Sequence, residues 1–93
     1  MDYSYTVILR KEPEGGYTVL VPALPGCLTE GETAADALVM AQDAIRGYLE
    51  SLRMEGEAIP RERKRLTFEP GDMDEGFFFR VKVSLPEPTP TYA

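Results

Sequence analysis

Between Thr33 and Gly56 the sequence carries one apolar stripe at helical spacing: Ala34, Ala37, Leu38, Ala41, Ile45, Tyr48, Leu49 and Leu52 recur at steps of three and four. Thr33 is placed to cap that helix, with Asp36 three residues on at the positive end of its dipole. Gly56, followed by Pro60, is placed to end it. About twenty residues at a rise of ~1.5 Å make a helix ~30 Å long. A helix with one apolar face must bury that face against something, and the rest of the chain has to supply the surface.

That surface reads as β. Tyr3, Tyr5, Val7 and Leu9 alternate with Ser4, Thr6, Ile8 and Arg10, and a turn cluster, Glu12-Pro13-Glu14-Gly15-Gly16, leads into a second run, Tyr17 to Val21. Two such runs with a short Gly-Gly connection form a hairpin. Pro22 and Pro25-Gly26 stop the second strand and turn the chain, and Cys27-Leu28-Thr29-Glu30 makes a short third strand before Gly31. In the last strand, Phe77, Phe79, Val81, Val83 and Leu85 face one way; Phe78, Arg80, Lys82 and Ser84 face the other. The order β-β-β-α-β predicts an α+β fold, an antiparallel-rich sheet with one long helix on one face. Residues 1–85 form a single domain, in which 61–76 are a charged connection and 77–85 the last strand. Residues 86–93 are an extended, proline-rich tail.

At 93 residues the chain has room for one domain. It contains no histidine, which removes histidine-based general bases, triads and zinc sites, and its single cysteine excludes an internal disulfide. Asparagine is absent, glutamine occurs once, and arginine outnumbers lysine seven to three, a composition that points toward a thermophilic origin. No apolar run is long enough to cross a bilayer and no signal sequence is visible, so a cytoplasmic location is expected. The net charge of −6 resides in residues 1–60, with ten acids and four bases, while residues 61–93 balance six against six. Such a body repels nucleic acid and attracts a basic protein.

A width estimate sets what one helix leaves open. Four strands span roughly 19 Å and a helix covers about 10 Å. Ile8, Leu20 and Phe78 place apolar side chains on the far face and form a candidate oligomer interface, for a homodimer or tetramer. On the helix, Asp36, Asp43 and Glu50 lie seven apart, opposite the apolar stripe. They form a candidate acidic partner face, with Arg46 spaced to pair with Asp43 and Glu50.

Catalytic patterns are poor. Gly26-Cys27-Leu28-Thr29-Glu30-Gly31 has the glycine spacing of a phosphate loop, but Glu32-Thr33 follows where Lys-Ser/Thr is needed, and Glu30 and Glu32 would repel phosphate. Cys27 has no histidine to activate it and reads as a small apolar residue beside a turn. No carboxylate spacing marks a metal cluster. A ribonuclease-H-like metal-dependent nuclease would require Asp2, Glu30, Asp36 and Asp43 to converge. Arg61-Glu62-Arg63-Lys64-Arg65 reads as a solvated basic run after the helix, and no helix-turn-helix follows it.

Gly15-Gly16-Tyr17-x-Val19-x-Val21-Pro22-x-Leu24-Pro25-Gly26-Cys27-x-Thr29-x-Gly31-x-Thr33, with Ala37, Ala41, Ala44-Ile45 and then Glu55-Gly56-Glu57-x-Ile59-Pro60, resembles the HicB-like antitoxin family over residues 3–60. The resemblance implies a partial ribonuclease-H or double-stranded-RNA-binding-like fold, no cofactor, and a non-catalytic protein that masks a HicA-type toxin. Such a toxin is a small, basic, mRNA-cleaving protein with a catalytic histidine. It leaves room for an orphan, self-assembling member with no toxin partner. Many members carry an additional DNA-binding module that this chain lacks, so DNA binding is not expected of this chain alone. Gly15, Gly16, Pro22, Pro25, Gly26, Cys27 and Thr33 read physically as scaffold, setting the hairpin, the turn and the helix cap.

Overall fold

A computed structural model describes residues 1–62 and 76–86. Most of the charged connection and nearly all of the proline-rich tail lie outside them. The strands are β1 (Asp2–Lys11), β2 (Tyr17–Leu20), β3 (Leu28–Gly31) and β4 (Gly76–Ser84), and the helix α1 (Ala34–Met54) lies between β3 and β4 in the chain. They form one antiparallel sheet in the order β3-β2-β1-β4 with α1 on one face, as the residue patterning predicts.

Each connection follows from local chemistry. Gly15 and Gly16 hold φ of 103° and 80° at the β1–β2 turn, where Gly15 N–H donates to the Glu12 carbonyl at 3.1 Å. Leu24-Pro25-Gly26-Cys27 is a turn with a Cys27 N–H to Leu24 carbonyl bond of 3.0 Å; Pro25 sets its first corner and Gly26, at φ 81°, its second. Thr33 caps α1, its hydroxyl accepting from Asp36 N–H at 3.1 Å. At the other end Gly56 has φ 73°, its N–H bonds the Arg53 carbonyl, and Glu57 N–H bonds the Leu52 carbonyl at 2.8 Å. These two bonds are the Schellman arrangement that satisfies the last carbonyls of a helix.

The core lies between α1 and the odd-numbered side chains of β1. Ala37, Ala41, Ile45 and Leu49 of the helix are fully buried against Tyr5, Val7, Leu9, Val19 and Val83. Helix and sheet approach closely at Gly31: a Cβ there would stand 2.4 Å from the Ala37 nitrogen. Gln42 Nε2 donates to the Lys82 carbonyl at 3.0 Å, and the Arg53 guanidinium donates to the Pro86 carbonyl. The helix therefore lies along the second half of β4. Val81, Val83 and Leu85 are buried as expected, but Phe77 and Phe79 on the same face remain half-exposed beyond its reach.

Candidate interaction surfaces

β2 ends at Leu20, and the position that would continue the ladder opposite Thr6 belongs to Pro22, which has no N–H to offer. The chain returning from the helix takes over. Tyr5 Oη donates to the Pro60 carbonyl at 2.5 Å, and the Glu62 carboxylate accepts from Thr6 N–H and Thr6 Oγ1 at 2.6 Å each. Arg80 on β4 also pairs with Glu62. Burial pushes the Tyr5 hydroxyl up to about 12, with Tyr3 and Glu62 adding to it.

The three candidate interface residues fall in one row. Leu20 stands opposite Ile8, and Ile8 opposite Phe78. Leu28, which sequence reading did not single out, extends the row to all four strands through its register with Leu20. The expectation that the row is open is corrected in part. Ile8, flanked by Leu20 and Phe78, is only 3% exposed, and Leu20 is half-buried. Phe78 is 40% exposed and Leu28 63%. The far face is therefore apolar at its two ends and covered in the middle.

Asp36, Asp43 and Glu50 are all exposed on α1. Arg46 makes no ion pair with Asp43 or Glu50 among the described residues, so the pairing expected from their spacing is not seen. The register Tyr17↔Gly31 builds a second acidic surface that sequence reading missed. Glu12 and Glu14 on the hairpin turn, Glu30 in β3 and Glu32 just after it line a cleft of about 610 Å³ together with Gly15, Gly16, Gly31 and Met40. Pairing β2 with β3 on paper, by their alternation, would have brought these four glutamates together.

Cys27 is buried and its thiol is pushed up by that burial, as suits a packing residue. Above it, Tyr48 Oη donates to the Pro25 carbonyl at 2.9 Å, fastening the helix to the turn. Among the described residues, no three acidic or cysteine side chains are grouped closely enough to hold a metal ion, so Asp2, Glu30, Asp36 and Asp43 do not converge. No described helix is long and apolar enough to cross a membrane.

Over residues 5–87 the sequence matches the HicB-like antitoxin of the bacterial toxin-antitoxin system. It is 53% identical over 58 residues to a UPF0150 protein of Thermoplasma acidophilum, covering 62% of this chain and 84% of that one. The fold is similar to that of the antitoxin HicB of Burkholderia pseudomallei (TM-score 0.72, 27% identity, 97% of this chain and 74% of that one). It is also similar to a chain of a HicA3 and HicB3 toxin-antitoxin complex (TM-score 0.65, 25% identity, 88% of this chain and 99% of that one).

Proposed function

Because the chain belongs to the HicB-like antitoxin family of bacterial toxin-antitoxin systems, we propose that it acts by binding, without catalysis of its own, and masks a HicA-type toxin that cleaves mRNA. The observation that carries this reading is the match over nearly the whole domain, joined to a fold shared with one chain of a toxin-antitoxin complex. Charge supports it. The body carries the molecule's net −6, and its acidic side chains gather on the outer face of α1 and around the hairpin cleft rather than spreading evenly. A small basic protein is drawn to such surfaces and held in a preferred orientation by them. Self-association accompanies this role in our reading, since aromatic side chains of β4 stay exposed in the single chain.

The experiment uses the basic, histidine-containing protein of about 60–90 codons expected beside this gene. Its cleavage of RNA is measured with and without this chain. Stoichiometric inhibition, together with co-elution of the two proteins, is the expected result. Full cleavage in the presence of excess folded chain refutes the proposal. Metal-dependent RNA cleavage by this chain alone, lost on changing one carboxylate, refutes the non-catalytic part.

A further inference from the structure

β3 closes one side of the sheet, and β2 is its partner strand. Which of its backbone groups point outward follows from the hairpin. Glu12 N–H donates to the Gly16 carbonyl at 3.0 Å, so the even residues of β2 bond to β1 and the odd ones, Tyr17 and Val19, bond to β3. Their partners are Gly31 and Thr29. The Gly31 carbonyl accordingly lies against Gly16, 3.1 Å from where a Cβ on that residue would stand. Leu28 and Glu30 are left with N–H and C=O aimed away from the sheet, and no described residue bonds them there. A cleft of about 480 Å³ lies along this edge, lined by Thr18, Leu28, Thr29, Glu30 and Met40. Leu28, on the far face of the sheet, is 63% exposed, and Met40, on the helix, 43%.

We propose that this edge receives an extended segment of the toxin, which adds a strand beside β3 and bonds the N–H and C=O of Leu28 and Glu30. The inference rests on the antitoxin reading above and specifies how the partner is held. In such strand addition the backbone bonds supply affinity and the flanking side chains supply specificity. Charge selects the occupant. Three clefts meet β3, and Glu12, Glu14, Glu30, Glu32, Asp43 and Glu55 line them, with no lysine or arginine among the described residues. None of these six carboxylates is in an ion pair among the described residues. A second copy of this chain would bring the same carboxylates face to face, so the edge is closed to its own kind. A strand carrying lysine or arginine meets the opposite condition, which suits a basic toxin. Alternation adds a finer requirement. Leu28 and Glu30 lie two residues apart on one face, so the incoming strand should carry an apolar and a basic side chain at the same spacing.

Glu30→Pro and Glu30→Ala test this, each titrated with the toxin from the neighbouring gene. Both lose the carboxylate, but only proline loses the outward N–H. An edge strand tolerates proline where its nitrogen faces away from the sheet, so the bonds between β2 and β3 remain. The expected result is that Glu30→Pro binds at least tenfold more weakly than Glu30→Ala. In the wild-type chain the Leu28 and Glu30 amides should exchange quickly when the protein is free and slowly in the complex. That measurement decides the matter if Glu30→Pro does not fold. Equal affinity of the two variants overturns the proposal, because Glu30 then acts through its side chain alone. Leu28 and Glu30 amides that still exchange quickly in an inhibited complex also overturn it, and leave the antitoxin reading standing with the toxin held elsewhere. So do amides already protected in the free chain, since the edge is then covered before any partner arrives. A toxin that is neither bound nor inhibited by the wild-type chain overturns both readings together.

Discussion

Glu62 accepts both the backbone N–H and the hydroxyl of Thr6, at 2.6 Å each, where β2 has stopped and Pro22 cannot continue the ladder. One side chain from the segment after the helix thus supplies the acceptor that a longer β2 would have offered to the Thr6 N–H. It also draws in Arg80 from the other side of β1. The first residues of the charged connection are thereby fastened to β1 and β4 through the Glu62 side chain.

Replacing Glu62 by alanine leaves a half-buried Thr6 N–H without its acceptor and unties Arg80. A loss of about 1–3 kcal/mol is expected, at the upper end of what a hydrogen bond to a charged group is worth. Glu62→Gln, which keeps an acceptor oxygen, should lose less. Urea unfolding of the three proteins measures the difference, and equal stability of wild type and Glu62→Ala would show that the contact adds nothing in solution.

Gly31 and Gly47 should respond in opposite directions to alanine. At Gly31 a Cβ would lie 2.4 Å from the Ala37 nitrogen and 2.6 Å from its Cα, both backbone atoms that cannot swing aside. The helix must lift from β3, and a loss of roughly 2–4 kcal/mol is expected for overpacking at a helix–sheet contact. Gly47 lies within α1 with open space around its Cα, so alanine there should gain about 0.5–1 kcal/mol from helix propensity alone. Thermal melts of the two variants should bracket the wild type.

The Tyr5 hydroxyl, 10.0 when unperturbed, is raised to about 12 in the folded chain. Between those values the unfolded chain has released its proton and the folded chain still holds it. Stability therefore falls as pH rises from about 10 to about 12, and is fully present below 10. Tyr5→Phe removes this slope along with the bond to Pro60. The stability difference between wild type and Tyr5→Phe should thus shrink over that window, and a difference independent of pH would contradict the raised value.

The elements were legible because each is written in local chemistry. Thr33 and Asp36 announce the helix start, Gly56 its end, Pro25-Gly26 the turn, and the alternation of Tyr3 to Arg10 the strand. Strand ends came within a residue or two: β3 runs from Leu28 to Gly31 rather than from Cys27 to Glu30. What the sequence concealed depends on where the helix lies on the sheet. The alternation of Phe77, Phe79 and Val81 predicts one buried face, yet only Val81 is covered, because Gln42 and Arg53 lie along the later half of β4. Periodicity says which side of a strand is apolar, not how far along it the covering element extends. The closeness of Gly31 to Ala37 was hidden for the same reason, and so was Glu62 as a substitute for strand, since nothing local marks a carboxylate for a backbone amide 56 residues away.

The two acidic surfaces should not weigh equally in binding a basic protein. Asp36, Asp43 and Glu50 are spread along α1 at two-turn intervals, about 10 Å apart, which is close to a Debye length at physiological salt. A partner touching one of them feels the others only weakly. Glu12, Glu14, Glu30 and Glu32 instead line a single cleft with Met40 and Tyr17, so a lysine or arginine entering it would meet several carboxylates together and have apolar surface for its stem. Long-range attraction sums over both surfaces, whereas the lifetime of the complex is set by the groups actually contacted. Reversing Glu30 and Glu32 to lysine should therefore raise the dissociation rate of a basic toxin at least tenfold. Reversing Asp36 and Glu50, at the same change in net charge, should lower mainly the association rate, and less so as salt is raised. Surface plasmon resonance at two ionic strengths separates these effects. Equal rates for the two double variants at both salt concentrations would show that net charge alone matters and that the cleft has no privileged role.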